Sequence, residues 1–142
     1  MRFVLPLLAA GLCAAAVVPR YSFEQLVDTS ERVVEGRVVR SWVAWDRARQ
    51  FIWTHYEIAV SDTVKGAPSP TIVVSEPGGT LDGHTLVIPG VPQYAKGEEV
   101  VLFLHRTPIG YLRTNGYEQG RHSVRDRAET ARLKARVRSR LR

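Results

Sequence analysis

The stretch Gly97-Glu98-Glu99-Val100-Val101-Leu102-Phe103-Leu104-His105 decides the fold of this chain. A turn-forming glycine and two carboxylates precede an unbroken run of β-branched, leucine and aromatic residues, which favours a strand. Because polar residues do not interrupt the run, it predicts a strand buried on both faces at the centre of a sheet. Every other strand-like segment is weaker, so we expect the others to be arranged around this one.

Two longer segments predict a hairpin on the N-terminal side of this strand. Residues Arg32 to Trp45 are strand-like, with Gly36 marking a bulge or bend, and Phe51 to Val60 alternate in polarity. The polar residues 46–50 connect them. Further short strands are predicted at residues 71–75, 85–88, 111–114 and 120–124. Short strands separated by Gly and Pro turns indicate a mainly β fold, a small antiparallel barrel or sandwich.

Helical patterns occur at both ends of the predicted sheet. Ser22 and Gln25 can form a capping box, which predicts a short helix at residues 22–27. From Arg125 onward helix formers dominate without Gly or Pro. We predict a marginal helix that either docks or stays loose; its apolar residues are Leu133, Val137 and Leu141.

The N-terminus has the features of a secretory signal peptide. A charged start precedes an apolar run, and the small residues Ala14 and Ala16 stand where a cut is expected. We therefore predict a signal peptide at residues 1–16 and a secreted or periplasmic protein, with a membrane anchor as the alternative. Leu12 before Cys13 disfavours a lipid-modified cysteine. The mature chain is divided into a β domain at residues 17–124 and a basic helical tail at residues 125–142.

The net charge of +6 is unevenly distributed. Residues 121–142 hold nine basic and two acidic residues, a net +7, whereas residues 17–120 hold ten basic and twelve acidic residues, a net −2. The tail is thus a candidate site for a polyanion or an anionic membrane surface, the alternative being a solvated extension without a partner. The tail cations are Arg132, Lys134, Arg136, Arg138 and Arg140. The acidic body and the expected export make nucleic acid an unlikely partner.

Residues with catalytic spacing are missing from the sequence. The four histidines, His55, His84, His105 and His122, lie on separate segments without an HExxH pattern. No GxSxG motif is present, and residues 77–80 lack the ending of a phosphate-binding loop. We therefore expect no enzymatic activity, no metal and no cofactor.

The first hairpin concentrates all three tryptophans, Trp42, Trp45 and Trp53. If Ala48 lies near the tip, Trp45 opposes Phe51, and apolar side chains occupy both faces of the hairpin. One face then needs a cover. Either the N-terminal helix or the tail supplies it, or the face binds a partner.

The order of these features resembles secreted bacterial domains and, more distantly, netrin-like modules and tissue inhibitors of metalloproteinases, which are OB-fold barrels. The residues that carry the resemblance are 33–39, 54–60, 64–66, 77–79, 97–104 and 116–120. The resemblance implies an OB-like barrel, and it leaves a protease-associated or protease-inhibitor-like role as an alternative function. Those inhibitors act through a cysteine at the mature N-terminus, whereas Val17 or a neighbour stands there in this chain.

Together these patterns predict an exported, non-enzymatic binding module that recognises a protein of the cell envelope or the extracellular space. We expect recognition to occur through the first hairpin, because OB-fold barrels use the loop between their first two strands for binding. The tryptophans would be the anchors and two arginines of the turn the polar rim. The predicted binding residues are Trp42, Trp45, Arg47, Arg49 and Trp53. Polyanion or nucleic-acid binding through the tail is a further alternative.

Overall fold

A computed structural model describes residues 18–142 of the chain. The predicted signal peptide therefore lies outside the described residues. The helices are α1 (Phe23–Thr29) and α2 (Arg127–Arg140), with one 3₁₀ turn at Tyr117–Gly120. The strands are β1 (Arg32–Trp45), β2 (Ile52–Lys65), β3 (Thr71–Pro77), β4 (Gly79–Leu81), β5 (His84–Leu86), β6 (Glu99–Arg106), β7 (Leu112–Thr114) and β8 (Arg121–Ser123).

The fold is mainly β, as the sequence predicts, and its main sheet curls into an OB-like barrel. The strand order is β1-β2-β3-β7-β6-β8, and β6 also pairs with β1. The prediction of a purely antiparallel barrel is wrong at one point, because β3 and β7 are parallel neighbours. They share a single residue pair, Val74 and Leu112, so the barrel stays open along most of this boundary.

Strand β6 is buried on both faces, which confirms the prediction for residues 97–105. Val100, Leu102 and Leu104 point into the barrel and pack with residues of β1, β2 and β3. On the opposite face, Val101 and Phe103 form a second apolar cluster together with residues of α1 and α2. The two helices therefore cover the outside of the strand whose inner face fills the barrel.

Helix α1 begins with the predicted capping box, because Ser22 and Gln25 each accept a hydrogen bond from the backbone N–H of the other. Helix α2 is docked rather than loose. Val137 is fully buried and Leu133 packs beside it, whereas Leu141 lies at the C-cap and is 44% exposed. The prediction that Leu141 contributes to docking is therefore wrong.

Several boundaries differ from the sequence-based predictions. Strand β2 continues to Lys65 rather than ending at Val60, and the strand predicted at residues 85–88 is the second arm of a small β4–β5 hairpin. The bulge predicted at Gly36 is present between Glu35 and Gly36. A Cβ atom at Gly36 would lie 2.6 Å from the carbonyl oxygen of Ala59, so only glycine permits this close approach of β1 and β2.

Candidate binding surface

The register of the first hairpin differs from the prediction by one residue. Trp45 pairs with Ile52 and Ala44 with Trp53, because the turn has four residues, 47–50, and is not centred on Ala48. A shift of one residue exchanges the faces of one strand relative to the other. Consequently Trp42 and Trp53 share one face of the hairpin and Trp45 lies on the other, so the three tryptophans do not form one cluster.

Trp42 belongs to an aromatic cluster on the outer face of the sheet. Its ring stacks on His55 at a centroid distance of 5.4 Å. Tyr111 then contacts both His55 and Trp53 edge-on, at 5.2 and 5.0 Å. The guanidinium of Arg40 lies 4.5 Å from the centre of the Trp42 ring, within cation–π distance. Trp42 therefore packs on His55 and Arg40 and remains partly exposed.

The cover of the outer face comes from neither helix, so of the two alternatives that the sequence left open, cover by α1 or the tail is wrong. Tyr111, just before β7, is the residue that packs over His55 and Trp53. Trp53 is consequently only 9% exposed, and its Nε1 atom has no hydrogen-bond partner among the described residues. Trp53 therefore supports the hairpin and is not itself available to a partner.

Trp45 is held from the opposite face by the β4–β5 hairpin. Its Nε1 donates a hydrogen bond to Asp82 at 3.0 Å, and its ring contacts His84 edge-on at 5.6 Å. Gly79 lies close to side chains of both hairpin strands, including Thr54. The inner side of the distal hairpin is thus covered within the chain, and Trp45 remains half-buried.

The turn at the tip has a defined conformation. Asp46 accepts hydrogen bonds from the backbone N–H groups of Arg49 and Gln50, through its carbonyl and its carboxylate respectively. Arg49 has φ 54°, a left-handed conformation that is unusual for a residue with a side chain. Arg47 and Arg49 are exposed and make no ion pair among the described residues, and Phe51 is 51% exposed. Cationic and aromatic groups are therefore free together at the tip.

The tail cations are mostly engaged by acidic residues of the β domain. Lys134 contacts Glu35 and Asp62, at 2.5 and 2.9 Å, and Arg138 contacts Asp62 at 2.8 Å. Hydrogen bonds to Glu35 and Asp62 raise the pKa of Lys134. Arg140 pairs with Asp28 and Arg136 with Glu24. Of the five predicted polyanion-binding residues, Arg132 alone makes no ion pair within residues 18–142.

The structure also contains one Ser–His contact. Ser75 Oγ lies 2.7 Å from His55 Nδ1, on adjacent positions of β3 and β2. Burial lowers the pKa of His55, which favours the neutral imidazole that a general base requires. However, Ser75 is only 1% exposed, so a substrate does not reach its hydroxyl group. The contact is a buried hydrogen bond between facing residues of β2 and β3.

Burial also lowers the pKa of His105 and His122, which lie on other strands. Within the described part of the chain, no group of three or more His, Cys, Asp or Glu side chains is placed to hold a metal ion. No helix among residues 18–142 is long and apolar enough to cross a membrane.

The sequence led us to predict Trp42, Trp45, Arg47 and Arg49 as binding residues, but it did not indicate the residues that contact them in the fold. Tyr111 and Asp82 are far from the hairpin in the sequence, and no local pattern connects them with it. Phe51 directly follows the polar turn in the sequence, and the structure reveals that its side chain is exposed beside the turn arginines.

Comparison with protein-family models gave no match, and comparison with curated proteins gave no significant match. We therefore infer a function from the geometry of the hairpin.

Proposed function

We propose that this chain is an exported, non-enzymatic binding module that recognises a protein partner through the tip of its first hairpin. The tip surface consists of Trp42, Trp45, Arg47, Arg49 and Phe51. The observation that carries the proposal is the exposure of Phe51 beside two arginines without acidic partners among the described residues. Export is proposed from the character of residues 1–16.

The tip surface is organised before any partner binds. Trp42 is fixed by His55 and Arg40, and Trp45 by Asp82. Rigid aromatic side chains lose little conformational entropy on binding, which favours affinity. Aromatic residues and arginines are also the groups that contribute most to the energy of protein interfaces.

The tail is the less supported surface. Binding of a polyanion requires free cations, whereas Lys134, Arg136, Arg138 and Arg140 face carboxylates of the same chain. The protease-directed alternative has no support beyond the resemblance seen in the sequence. The hairpin tip therefore supports the proposed function best.

Affinity capture from native envelope and secreted fractions, followed by quantitative mass spectrometry, tests the proposal. Phe51→Ala and the double variant Arg47→Ala with Arg49→Ala should each lose a specific protein that the unmodified chain captures. Because these side chains are exposed, the variants should keep the fold, which circular dichroism verifies. Leu141→Ala is a matched control, since Leu141 is 44% exposed at the C-cap of α2, beside Arg138, which pairs with Asp62 at the other end of the hairpin. Identical capture by all four proteins would refute recognition through the tip.

A further inference from the structure

The distal part of β1 has an unpaired backbone edge. Strand β6 pairs with β1 only from Arg32 to Arg37, and Val38 exchanges backbone hydrogen bonds with the turn before β6. Beyond this point β1 pairs only with β2. Within residues 18–142, no backbone group pairs with the outer side of residues 40–46, which we call the free edge.

The hairpin register shows which backbone groups point outward. The N–H of Asp46 donates to the carbonyl of Phe51 at 2.9 Å, so this pair is hydrogen-bonded across the hairpin. Since hydrogen-bonded and non-hydrogen-bonded pairs alternate in antiparallel strands, Ala44 and Trp42 also direct their backbone groups to β2. The residues that direct N–H and C=O groups to the free edge are Ser41, Val43 and Trp45.

The middle of the free edge, residues 41–45, lacks the features that keep edge strands apart. Such strands are protected by lysine, proline, a bulge or a covering segment. Residues 41–45 are Ser-Trp-Val-Ala-Trp, without a charge or a proline, and the bulges of β1 lie before Ser41. The uncharged residues 41–45, with outward donors and acceptors, are suited to pairing with another strand.

We propose that a second copy of this chain pairs antiparallel with the free edge, about a two-fold axis at Val43. This register joins outward-facing backbone groups along the edge, and about six hydrogen bonds result. The side chains placed opposite one another are Val43 with Val43, Ser41 with Trp45, Trp42 with Ala44, and Arg40 with Asp46.

A second copy of this chain is the partner that fits the free edge, because the edge is complementary to itself. Each tryptophan faces a small side chain, and a positive charge faces a negative charge at each end. Arg40 uses its Nε atom to bind Glu57 in its own chain, which leaves its terminal nitrogens for Asp46 of the second copy. A two-fold axis at Trp42 would instead place two tryptophans opposite each other, and Arg40 would no longer face Asp46. Pairing at Val43 is therefore favoured over pairing at Trp42.

The proposed dimer does not depend on the protein partner of the hairpin tip, because it forms from this chain alone. One short strand pair buries less surface than a permanent dimer needs, so dimerisation should depend on concentration. Sedimentation velocity up to about 1 mM should show a monomer–dimer equilibrium. A chain that stays monomeric throughout this range would overturn the inference.

A proline variant tests which edge is used. Ser41 is exposed and its N–H points outward, so Ser41→Pro removes one donor without breaking the β1–β2 ladder. We expect dimerisation at least tenfold weaker. Val73→Pro is the control, because Val73 is 40% exposed on β3 and the register directs its N–H away from β2. Equal weakening by both variants, or by neither, would contradict pairing at the free edge.

Cross-linking tests the register even if Ser41→Pro fails to fold. In a Cys13→Ser background, Val43→Cys places two thiols across the axis, with Cβ atoms about 5 Å apart. Dibromobimane should therefore join two chains into a covalent dimer. Ser61→Cys, exposed on the distant part of β2, is the control and should not be joined. Absence of the Val43→Cys product, or an equal yield at Ser61, would refute the register.

Discussion

The two-sided burial of β6 leads to a quantitative prediction for Phe103→Ala. Phe103 is fully buried, and its ring lies edge-on to Phe23 at 6.4 Å and to His122 at 5.5 Å. Truncation removes a whole ring from beneath α1 and α2, and such changes cost about 3–5 kcal/mol. Because domains are stable by about 5–15 kcal/mol, we expect a large fall in the urea midpoint. Phe51→Ala, at the exposed tip, should change stability by less than about 0.5 kcal/mol.

Double-mutant cycles can show whether a residue of β6 packs in the barrel core or in the cluster beneath the helices. Phe103 and Val137 belong to the cluster beneath the helices, whereas Leu102 lies in the barrel core. When Phe103→Ala is combined with Val137→Ala, the combined change in the free energy of unfolding should differ from the sum of the two separate changes by about 0.5 kcal/mol or more. When Leu102→Ala is combined with Val137→Ala, the two changes should add. Urea unfolding followed by tryptophan fluorescence and far-UV circular dichroism measures both cycles. An unchanged midpoint for Phe103→Ala, or coupling of Val137 to Leu102 instead, would refute the two-cluster arrangement.

Three further predictions concern buried charges and close packing. Burial raises the pKa of Glu76 above its ordinary value of 4.5, so folding favours the protonated carboxyl group. The contribution of Glu76 to stability is therefore greatest below pH 4.5, and it is lost as the pH rises through the folded-state pKa. The free energy of unfolding of Glu76→Gln, measured by urea titration between about pH 4 and 8, should therefore rise relative to that of the unmodified chain as the pH increases; a constant difference would contradict this. Lys134→Met leaves the carboxylates of Glu35 and Asp62 close together and should cost about 1–3 kcal/mol, and adding Glu35→Gln should recover part of the loss in thermal unfolding. Gly36→Ala forces a methyl group against the Ala59 carbonyl and should cost about 1–3 kcal/mol, so an unchanged melting temperature would show that the bulge can relax.

The sequence alone determined features that depend on neighbouring residues. The apolar run of β6 predicted burial on both faces, and the Ser22 and Gln25 spacing predicted a capping box, because both patterns act over a few residues. The bulge at Gly36 could also be predicted, since a glycine within a strand pattern marks a bend or close approach. The mainly β fold followed from the number of short strands and turns.

The tertiary structure decided the arrangement of the binding surface. The hairpin register depends on a four-residue turn held by Asp46, and a change of one residue moves a tryptophan to the other face. The burial of Trp53 depends on Tyr111, which the barrel brings beside β2 from a distant part of the chain. Likewise, the tail is docked because Val137 enters an apolar cluster with residues of α1, β1 and β6, and Glu35 and Asp62 stand opposite Lys134 beside it. Contacts between residues that are remote in sequence leave no periodic pattern, so only the folded chain reveals them.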